Sequence, residues 1–293
     1  MNRKKLLALY SLKWNPFSPD LPLEAVVLTP RMEDFCWRVQ NLVEEGGFAL
    51  ITGDPGTGKS VVLRKLAQRL ADMRDVRVGT LTRPQSRVAD FYRELGDIFD
   101  VKVTASNRWG GFKVLREKWR AHLEASLVHP VLLVDEAQQM PSEVLSEVRL
   151  LSSTDFDSTL LLTVVLCGDS RLPEKFRQEE LVPLGSRIRT RLQMDYLSRE
   201  ELLAFLKEAT AKAGNRHLMT PELMATLAEH AMGNYRVLAT MASELLVTGV
   251  AQEAHQLDEK LYFEVFGGQM KDGRRSTAKK ERAMRASSRK STR

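Results

Sequence analysis

Residues 48–60 read F-A-L-I-T-G-D-P-G-T-G-K-S, an apolar run that meets a glycine-rich turn and ends in Lys59-Ser60. Gly53 to Ser60 satisfy G-x-x-x-x-G-K-[ST], the spacing of a phosphate-binding loop. No other stretch restricts the fold as much. The pattern needs a strand entering the loop, which residues 48–51 supply, and a helix leaving it. V-V-L-R-K-L-A-Q-R-L supplies the helix, with Val62, Leu66 and Leu70 at helical spacing. The spacing has a chemical reason. Gly56 and Gly58 let backbone N–H groups turn inward toward an anion. Lys59 adds a cation that reaches the outer phosphates, and Ser60 adds a hydroxyl for Mg2+. The helix that follows aims its positive end at the same point. The ligand read from this stretch is ATP, held by Gly53, Asp54, Pro55, Gly56, Thr57, Gly58, Lys59, Ser60 and Val61. The alternative is a glycine-rich turn without a ligand.

A second apolar run, residues 131–134, is continuous, as in a parallel strand covered on both faces. It ends in Asp135-Glu136. In that position Asp135 holds Mg2+, directly or through water, and Glu136 orients and polarises the attacking water. The alternative is a surface helix start capped by Asp135. A third run, residues 160–167, ends at Gly168-Asp169-Ser170. Ligands of open α/β sheets bind along this C-terminal strand edge, so Asp169 or Ser170 is placed to sense a γ-phosphate. The competing role for Asp169 is to cap the helix that starts at Arg171. Next comes L-G-S-R-I-R-T-R-L, where Arg187, Arg189 and Arg191 share one face at strand period. Three adjacent guanidinium groups repel one another unless anions face them. Either a neighbouring subunit's phosphates or intramolecular partners meet that need.

The 293 residues suffice for one large domain or for a core with a smaller domain. The apolar runs are too short to span a bilayer, and the basic start M-N-R-K-K reaches Trp14-Asn15-Pro16 before any leader is complete. The expectation is therefore a cytoplasmic protein with no membrane partner. Cys36 and Cys167 fit a reducing compartment without a disulfide framework, and the histidines lack metal-ligand spacing to them. Four segments follow from the pattern. Residues 1–47 form a lead-in, irregular to Pro30 and then a helix bearing Phe35, Val39 and Leu42. Trp14 and Phe17 are expected over the nucleotide or the core edge. Residues 48–197 form the α/β core and 198–268 a helical lid. Residues 269–293 form a basic tail, expected to be disordered alone. From Lys271 to Arg293 the chain carries ten Lys/Arg and two Asp/Glu, a charge of +8, which leaves −2 on residues 1–270. In the lid, S-R-E-E at Ser198 is a capping box, and Thr220-Pro221 opens a second helix. Gly233-Asn234-Tyr235-Arg236 opens a third. Arg236 at a positive helix end calls for an anion, either a bound γ-phosphate or a local carboxylate.

The order of phosphate loop, D-E strand end, polar strand tip, S-R box and G-N-Y-R over residues 48–236 resembles the AAA+ ATPases. The lead-in N-P-F, the form D-E-A-Q at Asp135 to Gln138 and the short lid are most similar to the ExeA/TniB/TnsC group, which includes transposition regulators related in role to MuB. The resemblance extends over roughly residues 14–266. It implies a three-layer αβα core with a parallel sheet and a small helical lid. It further implies hydrolysis of ATP to ADP and phosphate, with ATP held between subunits of a ring or filament. By position it makes Asp169 sensor 1, Arg187 the arginine finger and Arg236 sensor 2. Asp169 departs from the uncharged residue usual there, which slows hydrolysis or moves the sensing role to a neighbour. The function implied is a DNA-binding regulator of transposition. It would assemble as a homo-oligomer on double-stranded DNA, select a target and recruit or activate a transposase, with a target-selection protein as a further partner. Candidate DNA contacts are Arg274, Arg275, Lys279 and Lys280 in the tail, and Arg83, Lys102, Arg108 and Lys113 on loops, with Trp109 placed to stack. The alternatives are ordinary solvated charge for the core positions and an acidic partner surface for the tail. Two other functions compete. One is an ExeA-like ATPase that assembles a secretion or cell-envelope machine, a role that would normally bring a transmembrane segment and a wall-binding domain. The other is an NTP-dependent scaffold without a DNA role.

Overall fold

The apolar runs ending at Val134 and Gly168 become parallel strands covered on both faces. The computed structural model describes residues 3–103, 108–125, 128–154 and 158–267. The chain separates into two units, Leu28–Tyr196 and a second made of Met1–Val27 with Leu197–Arg293. It opens with helix α1 (Arg3–Leu9), which belongs to the second unit.

The larger unit begins with α2 (Pro30–Glu45), capped by the Thr29 side chain, and then β1 (Gly47–Gly53). The phosphate loop leads into α3 (Lys59–Ala71), followed by β2 (Val76–Leu81), α4 (Val88–Ile98), α5 (Arg108–Ala125) and β3 (His129–Val134). Next are α6 (Ser142–Ser152), a short antiparallel pair β4 (Ser153–Thr154) and β5 (Thr159–Leu160), and β6 (Thr163–Gly168). Two short helices, α7 (Arg171–Lys175) and α8 (Val182–Gly185), precede the edge strand β7 (Ile188–Met194). Five strands form one sheet in the order β2-β3-β6-β1-β7, and every pairing is parallel.

The strand period of two divides the core into two layers. Leu132, Val134, Val164 and Leu166 pack with Leu95, Leu115, Trp119 and Leu145 of α4, α5 and α6. The intervening Val131, Leu133, Val165 and Cys167 pack with Val39 of α2 and Leu66 and Leu70 of α3. This is the expected αβα sandwich. The edge strand β7 alternates instead, with Ile188, Leu192 and Met194 buried and Arg189, Arg191 and Gln193 exposed.

Two expectations change here. The third apolar run is not one strand: Thr159 and Leu160 pair back on Thr154 and Ser153, and the parallel strand starts at Thr163. The stretch around Trp109 is not a loop, because α5 begins at Arg108 and contains Gly110 and Gly111. Gly111 serves close packing rather than a turn. A Cβ there would lie 2.8 Å from Val103 Cγ1 and 3.1 Å from the Tyr92 ring.

The second unit adds α9 (Arg199–Lys212), α10 (Pro221–His230), α11 (Tyr235–Ala251) and helical residues 259–267. Ser198 and Thr220 cap α9 and α10 through side-chain oxygens that accept from Glu201 and Leu223 N–H groups, and Glu201 completes the capping box. The core of this unit joins Leu202, Leu206, Leu223, Leu227, Leu238 and Leu245 with Leu6, Tyr10, Leu12 and Phe17. The lead-in 1–47 is therefore not one piece. Its first part contains a helix and a buried Tyr10, which gain a core by joining the C-terminal helices, whereas α2 covers the sheet. Trp14 and Phe17 pack in the helical unit. The tail, residues 269–293, lies outside the described residues.

Leu166 sits on the central strand β6 with no exposed surface. Leu166→Ala is expected to cost about 2–5 kcal/mol of unfolding free energy by urea titration, since a cavity there cannot collapse between two paired neighbours. A loss below 1 kcal/mol would show that this layer is loosely packed.

Candidate active site

Strand order assembles the site. β6 lies between β1 and β3, with Thr52 level with Gly168 and Leu166 level with Val134. The residues that follow these strands thus emerge side by side at one edge of the sheet. They are the loop after Gly53, Asp169 after Gly168, and Asp135-Glu136 after Val134.

The phosphate loop has the geometry its glycines require. Gly56 and Gly58 have φ of +88° and +97°, in the left-handed region where a Cβ is strained. Gly53 has a different reason. A Cβ there would lie 2.3 Å from the Met194 carbonyl oxygen of β7, so only glycine fits. Thr57 is buried and donates its hydroxyl to the Asp54 carbonyl at 2.9 Å. Lys59, 8% exposed, donates its ammonium to the same carbonyl at 2.9 Å. The lysine is thus drawn over the loop by a neutral acceptor, and its positive charge stays available to an anion. The set fits a nucleotide phosphate with Mg2+, because it combines a side-chain-free cradle, a cation, a hydroxyl at Ser60 and the start of α3.

The carboxylates opposite are held by neighbours. Asp135 accepts from the Glu136 N–H at 2.9 Å and from the buried Cys167 thiol, which burial first and this carboxylate second push upward. Glu136 has φ +53° and ψ +36°, a left-handed conformation unusual for a residue with a side chain. Its carboxylate accepts from the Gln138 side-chain amide at 2.5 Å. The amide oxygen of Gln138 in turn accepts from the Asp169 N–H at 3.3 Å. One glutamine therefore links the ends of β3 and β6. A Cβ on Gly168 would lie 2.6 Å from that oxygen, so glycine makes room for the link.

Asp169 also bonds to Arg171. The Arg171 backbone N–H reaches Oδ1 at 3.0 Å, Nε reaches Oδ2 at 2.9 Å and Nη2 reaches Oδ2 at 2.6 Å. These bonds hold the Asp169 carboxyl below the usual carboxylate range. The capping alternative for Asp169 is realised in part, since the carboxylate secures the first turn of α7.

The other candidates are dispersed. Arg187 donates to the Pro183 carbonyl, Arg189 pairs with Glu45 at 2.9 Å, and Arg191 donates to the Gly185 carbonyl at 3.0 Å. Intramolecular acceptors thus relieve the repulsion among them. Arg236 lies in the other unit, exposed on the first turn of α11, which Asn234 caps. Among the described residues its guanidinium has no carboxylate partner. Arg83 and Lys102 are exposed, Lys113 faces Glu117 at 3.7 Å on α5, and Arg108 is the first residue of α5. Trp109 is 73% exposed and stacks on Phe112 with ring centres 5.6 Å apart. Arg274, Arg275, Lys279 and Lys280 lie outside the described residues. Local spacing alone gives Gln138 and Arg171 no role, although each stands two residues after a candidate carboxylate, Glu136 and Asp169.

Residues 42–176 match the family profile of the AAA domain. Among solved structures, Cdc6p from Pyrobaculum aerophilum aligns with a TM-score of 0.65 at 15% identity, over 83% of this chain and 67% of that one. The ORC1 protein of Aeropyrum pernix in complex with DNA gives 0.65 at 14% identity, over 86% and 68% of the two chains. Domain III of the Thermotoga maritima replication initiation protein DnaA gives 0.54 at 20%, over 86% and 97%. The fold is that of an AAA+ P-loop NTPase. In sequence, this chain is 31% identical over 220 residues to general secretion pathway protein A of Aeromonas hydrophila. The alignment takes in 74% of this chain but 39% of that relative's length. Among the described residues no helix is long and apolar enough to cross a membrane.

The Glu136 backbone provides a test. A side chain in the left-handed region stores about 1–3 kcal/mol. Glu136→Gly is expected to raise unfolding free energy by about 1 kcal/mol in urea, after allowance for glycine entropy, while it removes ATP turnover. A less stable variant would show that the conformation is not strained.

Proposed function

We propose that this chain is an ATP-hydrolysing switch that helps to assemble a cell-envelope secretion machine. The observation that carries the nucleotide part is the meeting of the Gly53–Ser60 loop, Asp135, Glu136 and Asp169 at the ends of three adjacent strands. The machine is proposed from the likeness to general secretion pathway protein A. Ser60 and Asp135 hold Mg2+, which when bound supplies positive charge at the phosphates. Lys59 and the loop N–H groups bind the phosphates and orient them. Glu136 polarises the attacking water, and Gln138 fixes the carboxylate's direction. Arg187, on the approach to the exposed edge strand β7, is the proposed finger for the site of a second copy, with Arg189 and Arg191 as neighbours on the same edge. ATP then favours the associated form and hydrolysis releases it.

A second reading, regulation of transposition on double-stranded DNA with a transposase as partner, is favoured by two observations. The stretch from Lys271 to Arg293 carries +8, and α5 presents an exposed Trp109, stacked on the half-buried Phe112, near Lys113. A cationic segment and a stacking platform both suit nucleic acid.

Lys59→Ala is expected to abolish binding of a fluorescent ATP analogue; unchanged affinity would remove the loop from its assigned role. Glu136→Gln is expected to bind ATP, to hydrolyse it at least tenfold more slowly and to accumulate as the larger species in analytical ultracentrifugation. Normal turnover would take the water-activating role from Glu136. To separate the two readings, the same Glu136→Gln protein is sedimented with ATP, with and without duplex DNA, and is followed in cells by fractionation. ATP-dependent assembly without DNA, together with recovery in the envelope fraction, supports the secretion reading. Assembly that requires duplex, and that weakens steeply with salt, supports the second.

A further inference from the structure

Asp169 poses a problem that its partner resolves. A lone carboxylate at this strand tip would repel a γ-phosphate. Here the carboxylate is turned inward, with its side chain 16% exposed, and the guanidinium of Arg171 lies outside it at 71%. The pairing is one-sided. Nε and Nη2 both face Asp169, and the backbone N–H of Arg171 closes a further bond to Oδ1 at 3.0 Å. This ring fixes the direction of an otherwise flexible side chain. Among the described residues, Nη1 has no partner. It is therefore a planar donor held in place with its outer edge open, the arrangement suited to a phosphate oxygen.

The surroundings agree. Glu136 acts electrostatically on Arg171, and Lys59 acts on Asp169, so the pair lies within the field of both ends of the site. The Asp169 N–H is also tied to Gln138, whose amide holds Glu136. A change at the Arg171 edge thus has a route of three hydrogen-bonded groups to the carboxylate that polarises water.

We infer that Arg171, held by Asp169, is the cation that recognises the γ-phosphate of the nucleotide bound in its own protomer, with Asp169 as its positioning residue. The inference rests on the reading that ATP occupies the Gly53–Ser60 loop. It transfers the sensing role from a polar strand tip to a neighbour two residues on. The pair together carries no net charge, so ADP gains little from it, and the open guanidinium edge rewards the triphosphate alone.

The test is a comparison of affinities, which needs no turnover. The full chain is titrated in Mg2+ with fluorescent ADP and with a fluorescent, slowly hydrolysed ATP analogue. Arg171→Ala is expected to weaken the triphosphate roughly tenfold, the size of one charge-assisted hydrogen bond, and to leave ADP within about twofold. Asp169→Asn keeps the cation but loosens it, and a smaller loss confined to the triphosphate is expected. Arg171→Gln guards against misfolding of the alanine variant and should lose the same discrimination. Equal losses for both nucleotides would overturn the inference and make Arg171 a structural brace for α7. An unchanged ratio in all three variants would overturn it as well, with the loop reading intact. If the unaltered protein binds neither nucleotide, both the loop reading and this inference fail, which is distinct from a lost preference among variants that still bind ADP.

Discussion

The site depends on β6 lying between β1 and β3. These strands are far apart in sequence, and only parallel pairing in this order brings the phosphate loop and the acidic strand end to either side of one polar tip. Parallel strands need crossovers, and the crossovers here are helices that bury both faces of the sheet. Leu132 and Val134 face one layer while Val131 and Leu133 face the other, so β3 is anchored on both sides just before its carboxylates leave the core.

The charges at this edge are arranged in pairs or chains. Lys59 rests on a carbonyl rather than a carboxylate, so its charge is undiminished. Asp135 has a thiol neighbour, Glu136 has an amide and Asp169 has a guanidinium. Each partner is of a different chemical type. The thiol is neutral and the amide adds direction without charge. The guanidinium alone cancels a charge. That division gives Asp135 and Glu136 neutral partners and pairs the Asp169 carboxylate with a cation.

Much of this was legible in the residues. Gly53 to Ser60 and the run ending at Asp135-Glu136 specify strand, loop and carboxylates because their chemistry depends on local spacing. The caps Ser198 and Thr220 were legible for the same reason. What was not legible depended on contacts between distant segments. Trp109 reads as loop because Gly110 and Gly111 suggest a turn, yet Gly111 is small because Tyr92 and Val103 press against it. The lead-in around Trp14 and Phe17 reads as a cover for the nucleotide site or the core edge, and only tertiary packing shows Phe17 in the core of the helical unit. Likewise the glutamine link between β3 and β6 exists only once the two strands are neighbours.

The arginines near β7 have a consequence for any second copy that docks there. Arg187 and Arg191 are engaged by carbonyls of their own chain and Arg189 by Glu45, all on exposed surface. Exposed bonds of this kind hold weakly, about 0–1 kcal/mol each. An incoming protomer therefore meets side chains already latched at home, and docking becomes a swap of acceptors at almost no net gain. An interface built by barter of this sort would have little grip of its own, so whatever anion tipped the exchange would govern how long two copies remained engaged.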